Sequence, residues 1–282
     1  MLKVLKAGFF TSIQDKGRVG FASIGVPVSG VMDFFSSDLT NHILNNSLDA
    51  AVIEITLGAC KFLFLENTEI AISGGNFSPT INDKPISINQ RIIVEKHDVL
   101  SFGKVKYGVR CYIAVKGGFL SEIKLGSRSF YRNVTKNFLL KKNDIINYNT
   151  FDQDLRDSNS LIKISKNHFE SEIIECFKGP EFDLLNKEQQ NILFEKSFSL
   201  SIDNNRMGFK LNEIVENNFE QILTSAVIPG TVQITPSGKL IVLMRDCQVT
   251  GGYPRIIQLT ENSINILAQK TTNNKFKFKL IP

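Results

Sequence analysis

Three short stretches concentrate side chains able to do chemistry. The first is Arg245-Asp246-Cys247-Gln248-Val249-Thr250-Gly251-Gly252-Tyr253-Pro254-Arg255. It leaves an apolar run at residues 241–244, so it reads as a polar loop carried by a stiff strand, where binding sites are commonly built. The second is Thr11-Ser12-Ile13-Gln14-Asp15-Lys16-Gly17-Arg18, followed by Gly25-Val26-Pro27-Val28-Ser29-Gly30-Val31-Met32-Asp33. Its Gly-Pro-Gly punctuation implies a rigid loop presenting Ser29 and Asp33 beside a helix start. A hydrogen-bonded structural corner is the competing reading of both. The third stretch, residues 205–209, holds Arg206. Its guanidinium can fork onto a carboxylate or phosphate, or simply pair with a surface acid.

Glycine pairs follow strand-like runs at Gly74-Gly75, Gly117-Gly118 and Gly251-Gly252. Such pairs can turn backbone N–H groups toward an anion, although a tight turn is the simpler reading of each. A Walker-type phosphate loop is absent: between Gly230 and Gly238-Lys239 the spacing is wrong, and Leu240 stands where a hydroxyl is needed. His42, His97 and His168 each lie far from Cys60, Cys111, Cys176 and Cys247, which argues against a zinc set and predicts a metal-free chain.

The elements that must position these loops alternate with period two. Residues 53–57 (Ile-Glu-Ile-Thr-Leu) place three aliphatics on one side, the pattern of a half-buried strand. Phe62 and Phe64, Ile70 and Ile72, and residues 91–94, 111–115 and 239–244 continue it. Residues 275–280 alternate Lys with Phe276, Phe278 and Leu280, which predicts an edge strand with solvated lysines. Helices are expected over 34–44, with Asp33 as N-cap and Phe35, Leu39 and Ile43 as the apolar face, and over 182–194 and 262–269. The fold class is therefore mainly β with a few short helices. The polar, aperiodic stretch 149–160 suggests two lobes, 1–155 and 156–282.

The 282 residues are 42% hydrophobic and 22% charged, enough for a substantial core. Net charge is +5 and dispersed, without the concentrated basic footprint of a nucleic-acid binder. No run reaches the length of a membrane span. Scattered cysteines and an N-terminus unlike a signal peptide predict a reduced, cytoplasmic protein.

At the polar stretches the chain resembles the biotin-dependent carboxyltransferase-like family, which includes the C component of 5-oxoprolinase, the regulator KipA and the allophanate hydrolase subunit 2 type domain of urea carboxylase. The matching segments are residues 12–18, 25–33, 54–58, 108–118, 125–129, 206–208 and 246–255, in family order along essentially the whole chain. The resemblance implies a cyclophilin-like β-barrel architecture. It also implies one component of an assembly that opens 5-oxoproline to glutamate with ATP. The other members would be a KipI-like or 5-oxoprolinase B-like partner and a third protein, with ATP shared with the partner. On that reading Asp33, Asp246 and Arg206 are the catalytic candidates. Arg18, Ser29, Arg110, Gln248, Thr250, Tyr253 and Arg255 would bind substrate, and the three glycine pairs would supply backbone donors to developing charge.

The sequence departs from the family pattern at three places. Asn204-Asn205 replace the usual Ser-Asp, Phe130 replaces Thr, and residues 131–137 lack the usual glycines. Two alternatives follow: a non-catalytic, KipA-like protein that antagonises a KipI-like partner, or a carboxyltransferase component of urea carboxylase type. No Met is followed by Lys, so the chain is not expected to carry biotin itself.

Overall fold

The computed structural model describes residues 1–149, 161–272 and 274–282. The chain is mostly β and divides into two compact units, one formed by Met1–Arg18 with Ser29–Ser165, the other by Val19–Val28 with Lys166–Pro282. The expected boundary at 155/156 lies outside the described residues. No break in composition or periodicity marks Val19–Val28 as part of the second unit.

In the first unit, a five-stranded antiparallel sheet runs in the order Phe10–Gln14, Val52–Thr56, Tyr107–Val115, Thr68–Asn76, Arg91–Val94. A seven-stranded sheet built around Leu2–Lys6 and Lys61–Phe64 packs on one face. A single core joins them, with Ile13, Ile53, Ile72 and Ile113 from one sheet and Leu2, Phe62 and Phe64 from the other. Burying these aliphatics between two sheets is what the period-two pattern demands.

Helix α1 (Phe34–Ile43) covers the opposite face of the five-stranded sheet, where Phe34 and Ile43 pack near Val52, Ala71, Tyr112 and Ala114. Asp33 caps it as expected: its carboxylate accepts from the Ser36 N–H at 3.2 Å and the Ser36 hydroxyl at 2.6 Å. Of the expected apolar face only Ile43 packs against the core cluster, however. Phe35 is exposed, and the buried face is Ser36, Ser37, Thr40 and Asn41. Small side chains let the helix approach closely, to the point that a Cβ added at Gly74 would lie 3.3 Å from that of Ser36.

The second unit is a closed seven-stranded barrel in the order Ile173–Lys178, Arg255–Leu259, Thr231–Ile234, Lys239–Leu243, Gly208–Ile214, Phe198–Asn204, Lys275–Leu280. The last strand closes on the first in parallel. Lys275–Leu280 is thus paired on both sides and is not an edge strand, which corrects the sequence expectation. The alternation reflects the barrel wall: Phe276 and Phe278 are buried inside, whereas Lys275 and Lys279 are exposed. Short helices α2 (Asn167–Glu170), α3 (Lys187–Glu195) and α4 (Glu261–Ala268) complete the unit. A reciprocal capping box at Asn186 and Gln189 starts α3, and Thr260 caps α4. No helix among the described residues is long and apolar enough to cross a membrane.

Candidate functional site

Each unit builds its own polar constellation. In the first, one transverse row on the α1 side of the sheet reads Ser12, Glu54, Tyr112, Ser73, one residue from each of four paired strands. All four are buried, Glu54 with 0% exposure. The half-buried reading of residues 53–57 is therefore overturned: Val52–Thr56 is a central strand covered on both faces, so the side chain between its aliphatics is enclosed too.

Enclosure is tolerable because the carboxylate is satisfied. Glu54 accepts from the Met32 N–H at 2.7 Å and from the Tyr112 hydroxyl at 2.9 Å, with the Arg110 Nε 4.0 Å away. The Tyr112 oxygen in turn accepts from the Asp33 N–H at 2.9 Å. Burial, with Glu54 alongside, pushes the Tyr112 phenol well above its ordinary pKa, so it remains a donor to Glu54. Glu54 and Tyr112 together hold two consecutive backbone amides of the 29–33 loop, which enters α1 through a left-handed Ser29 (φ 59°).

A second network fixes the same loop from the other side. Asp15 accepts from the Ser127 and Ser129 hydroxyls, both at 2.6 Å, and from the N–H groups of Gly17 at 2.8 Å and Arg128 at 2.5 Å. The Asp15 carbonyl receives the Val31 N–H at 3.0 Å. Arg18, almost fully buried, donates to the Ser129 carbonyl. The sequence candidates Arg18, Ser29, Asp33 and Arg110 thus all sit within buried hydrogen-bonded structure. Glu54, Tyr112 and Asp15 were not named as site residues, although each lies in a family-matching stretch.

In the second unit, a groove of about 690 Å³ opens beside the barrel. One wall is Asn204, Asn205, Met207 and Gly208; the other is Gln248, Gly251, Gly252 and Tyr253, with Gln233 also lining it. The Asn205 Oδ1 accepts from the N–H groups of Met207 (2.8 Å) and Gly208 (3.2 Å), which fixes the amide orientation and turns its Nδ2 away from the turn. The Gln233 Nε2 donates to the Tyr253 carbonyl at 3.2 Å, leaving Oε1 as the acceptor. The charged lining residues Lys210 and Asp203 are exposed and 3.9 Å apart.

Arg206 and Asp246 do meet, as a buried bidentate pair with contacts of 2.8 and 3.0 Å, but neither lines the groove. Arg255 and Thr250 do not line it either. Arg255 forks onto Glu181 at 2.9 and 2.7 Å, and those hydrogen bonds hold the Glu181 carboxyl below its usual range. Thr250 is exposed in a two-residue strand paired with Ser225–Ala226.

The glycine pairs differ from one another. Gly74 and Gly75 lie inside the Thr68–Asn76 strand rather than in a loop, where a Cβ at Gly74 would come within 2.6 Å of the Arg110 carbonyl. Gly117 and Gly118 form the expected turn, but their N–H groups donate to the Asn46 Oδ1 and the Val115 carbonyl, both at 2.8 Å. Of the three pairs, only Gly251 and Gly252 border the groove. Among the described residues no three His, Cys, Asp or Glu side chains are grouped to hold a metal ion.

Comparison with known proteins agrees with this architecture. The chain is 30% identical over 275 residues to the C component of 5-oxoprolinase from Escherichia coli, covering 95% of this chain and 87% of that protein. It is 26% identical to the Haemophilus influenzae protein of the same name, over 100% of this chain and 91% of the relative. The K. lactis urea amidolyase structure superposes with a TM-score of 0.86 at 28% identity, covering 100% of this chain and 19% of that protein, so the chain spans about a fifth of that larger enzyme. The model of the carboxyltransferase domain, subdomain A and B, matches residues 24–280. A match of that extent, together with the barrel and the polar loops that carry its motifs, makes this chain a member of the carboxyltransferase-domain family.

Proposed function

We propose that the chain is the C component of an ATP-dependent 5-oxoprolinase, acting in the cytoplasm with a KipI-like or 5-oxoprolinase B-like partner and a third protein to open 5-oxoproline to glutamate. The observation that carries this reading is the character of the second unit's groove. It offers carboxamides, a phenol and glycine backbone, with Lys210 and Asp203 offsetting one another. 5-Oxoproline presents a carboxylate, for which Lys210 is the cation lining the groove, and a lactam with one carbonyl acceptor and one N–H donor. The Asn205 Nδ2 and the Gln233 Oε1 supply the complementary pair, and Gln248 and Tyr253 add further polar contacts. Pre-oriented hydrogen-bonding groups of this kind discriminate strongly against ligands that leave them unpaired.

The reaction adds water across the lactam C–N bond, so the carbonyl carbon gains oxygen while the nitrogen leaves as an amine. The groove's part is to bind and orient the ring. Its volume exceeds what a small lactam fills, which suits a site completed by another protein of the assembly. Two of the three glycine pairs do not fit a triphosphate: Gly74 and Gly75 are enclosed in a strand, and the Gly117 and Gly118 amides are spent internally, while Gly251 and Gly252 border the groove read here as the lactam site. We therefore place ATP with the partner proteins and route no step of this chain through it.

A second reading, carboxyl transfer as in a urea carboxylase, draws on the same carboxamides, which suit a ureido group equally. Co-purification with the two partners and an assay of ATP-dependent glutamate release separates these readings. Release from 5-oxoproline by the complex, and none by the chain alone, is expected. Tight association without turnover would favour a KipA-like regulatory role, and no association at micromolar concentration would defeat the proposal.

A further inference from the structure

Two of the three catalytic candidates in the sequence, Arg206 and Asp246, have their charges turned on each other and do not line the groove. Arg206 is 7% and Asp246 8% exposed. Their side chains meet through two parallel hydrogen bonds of 2.8 and 3.0 Å, a geometry specific to a guanidinium and a carboxylate. The backbones are joined as well: the Asp246 N–H donates to the Arg206 carbonyl and the Met244 N–H to the Met207 carbonyl, both at 2.9 Å.

The sequence on either side of the pair forms the groove. Asn204, Asn205, Met207 and Gly208 flank Arg206, and Gln248, Gly251, Gly252 and Tyr253 follow Asp246. The neighbouring Arg245 is anchored in the opposite direction, onto Glu261 and Asn265 of α4. One arginine thus ties the Asp246 corner to the barrel's helix, while the next residue ties it to the far wall.

We propose that Arg206 and Asp246 are positioning residues, a clamp that sets the spacing between the Asn204–Asn205 wall and the Gln248–Tyr253 wall. Neither is a proton-transfer group. The carboxylate is buried, its charge is paired with the guanidinium, and neither side chain lines the groove where a ligand's proton would lie. The clamp's consequence for a ligand rests on reading the groove as the binding site; its consequence for the walls does not.

Amide hydrogen exchange on the full chain tests it. In Asp246→Asn, which keeps the shape but loses the charge, exchange at Met207, Gly208 and Cys247, whose N–H groups are hydrogen-bonded, should accelerate at least about tenfold, while Val232 and Val242 in the barrel stay protected. Arg206→Lys, which keeps a buried cation but not the fork, should give the same pattern and serves if the first variant does not fold. In the reconstituted complex, Asp246→Asn should raise the KM for 5-oxoproline at nearly constant kcat and leave the pH profile of kcat unchanged. Unaltered exchange at the walls would overturn the clamp whether or not the complex is an oxoprolinase. A collapse of kcat with loss of its basic-group pH limb would instead make Asp246 the catalytic base.

Discussion

Replacing Glu54 with alanine should destabilise the first unit severely, and the structure sets the scale. The carboxylate is wholly buried and accepts from the Met32 N–H and the Tyr112 hydroxyl, with Arg110 as its nearest cation. Hydrogen bonds to a charged acceptor contribute roughly 1.5–3 kcal/mol each, so losing two costs about 3–6 kcal/mol. Breaking a buried ion pair by removing one partner costs about 3–5 kcal/mol, an independent estimate in the same range. At about 2–4 °C per kcal/mol for a chain of this size class, the transition of the first unit should fall by roughly 6–24 °C. Both donors reach the same oxygen, Oε2, so Glu54→Gln with its amide oxygen there retains an acceptor for both and should cost only about 1–2 kcal/mol. Urea unfolding followed by circular dichroism, with both variants beside the wild type, measures this. A loss below about 0.5 kcal/mol for Glu54→Ala, typical of an exposed surface position, would refute the reasoning. So would a Glu54→Gln variant as damaged as the alanine one, because charge rather than hydrogen bonding would then dominate.

Other perturbations reach the second unit and the thiols. A Cβ at Gly251 would stand 2.6 Å from the Gln233 Nε2, the mobile end of a side chain. Gly251→Ala should therefore leave stability within about 1 kcal/mol of wild type yet displace the Gln233 amide, raising the KM of the complex several-fold; an unchanged KM would count against Gln233 as a ligand contact. The Glu181 carboxyl is held below its usual range, chiefly by the Arg255 hydrogen bonds. Its folded pKa lies under its unfolded one, so the stabilisation is complete above the unfolded value of about 4.3 and disappears as pH falls through the folded value. The stability difference between wild type and Glu181→Gln should shrink on acidification, whereas a pH-independent difference would contradict this. Burial pushes Cys60 up to about 11 and Cys176 and Cys247 up to about 12, and raises Cys111 further. None of the four should react with Ellman's reagent at about pH 8 until urea is added; rapid labelling of the native protein would show a thiol more accessible than the fold allows.

The strands of both units were legible because alternation records which side of a strand meets a core, whereas the barrel they close into was implied by the family resemblance. Phe276 and Phe278 carry that record clearly. Alternation does not record what covers the other side, so the enclosed Glu54 read as solvated, and the barrel strand Lys275–Leu280 read as an edge. The polar face of α1 was illegible for a related reason. Ser36, Ser37, Thr40 and Asn41 are buried for their small size against Gly74, and hydrophobicity patterns are blind to size. At the groove, Gln248, Gly251, Gly252 and Tyr253 stood out because they crowd one short loop. Gln233 sits singly in the apolar strand Thr231–Ile234, where no local signal marks it. Arg206 and Asp246 were visible as chemistry but not as partners, since 40 residues separate them in the chain.

The groove as the place where the lactam is held is tested most directly by the 5-oxoproline dependence of glutamate release from the reconstituted complex carrying Gln248→Ala. Gln248 lines the groove and is solvent-exposed, so its truncation should leave folding intact. Loss of its hydrogen bonds, at roughly 1–3 kcal/mol, should raise KM by about 5- to 150-fold while the variant still elutes with its partners. An unchanged KM and kcat in an intact complex would contradict the account and move the substrate away from this groove.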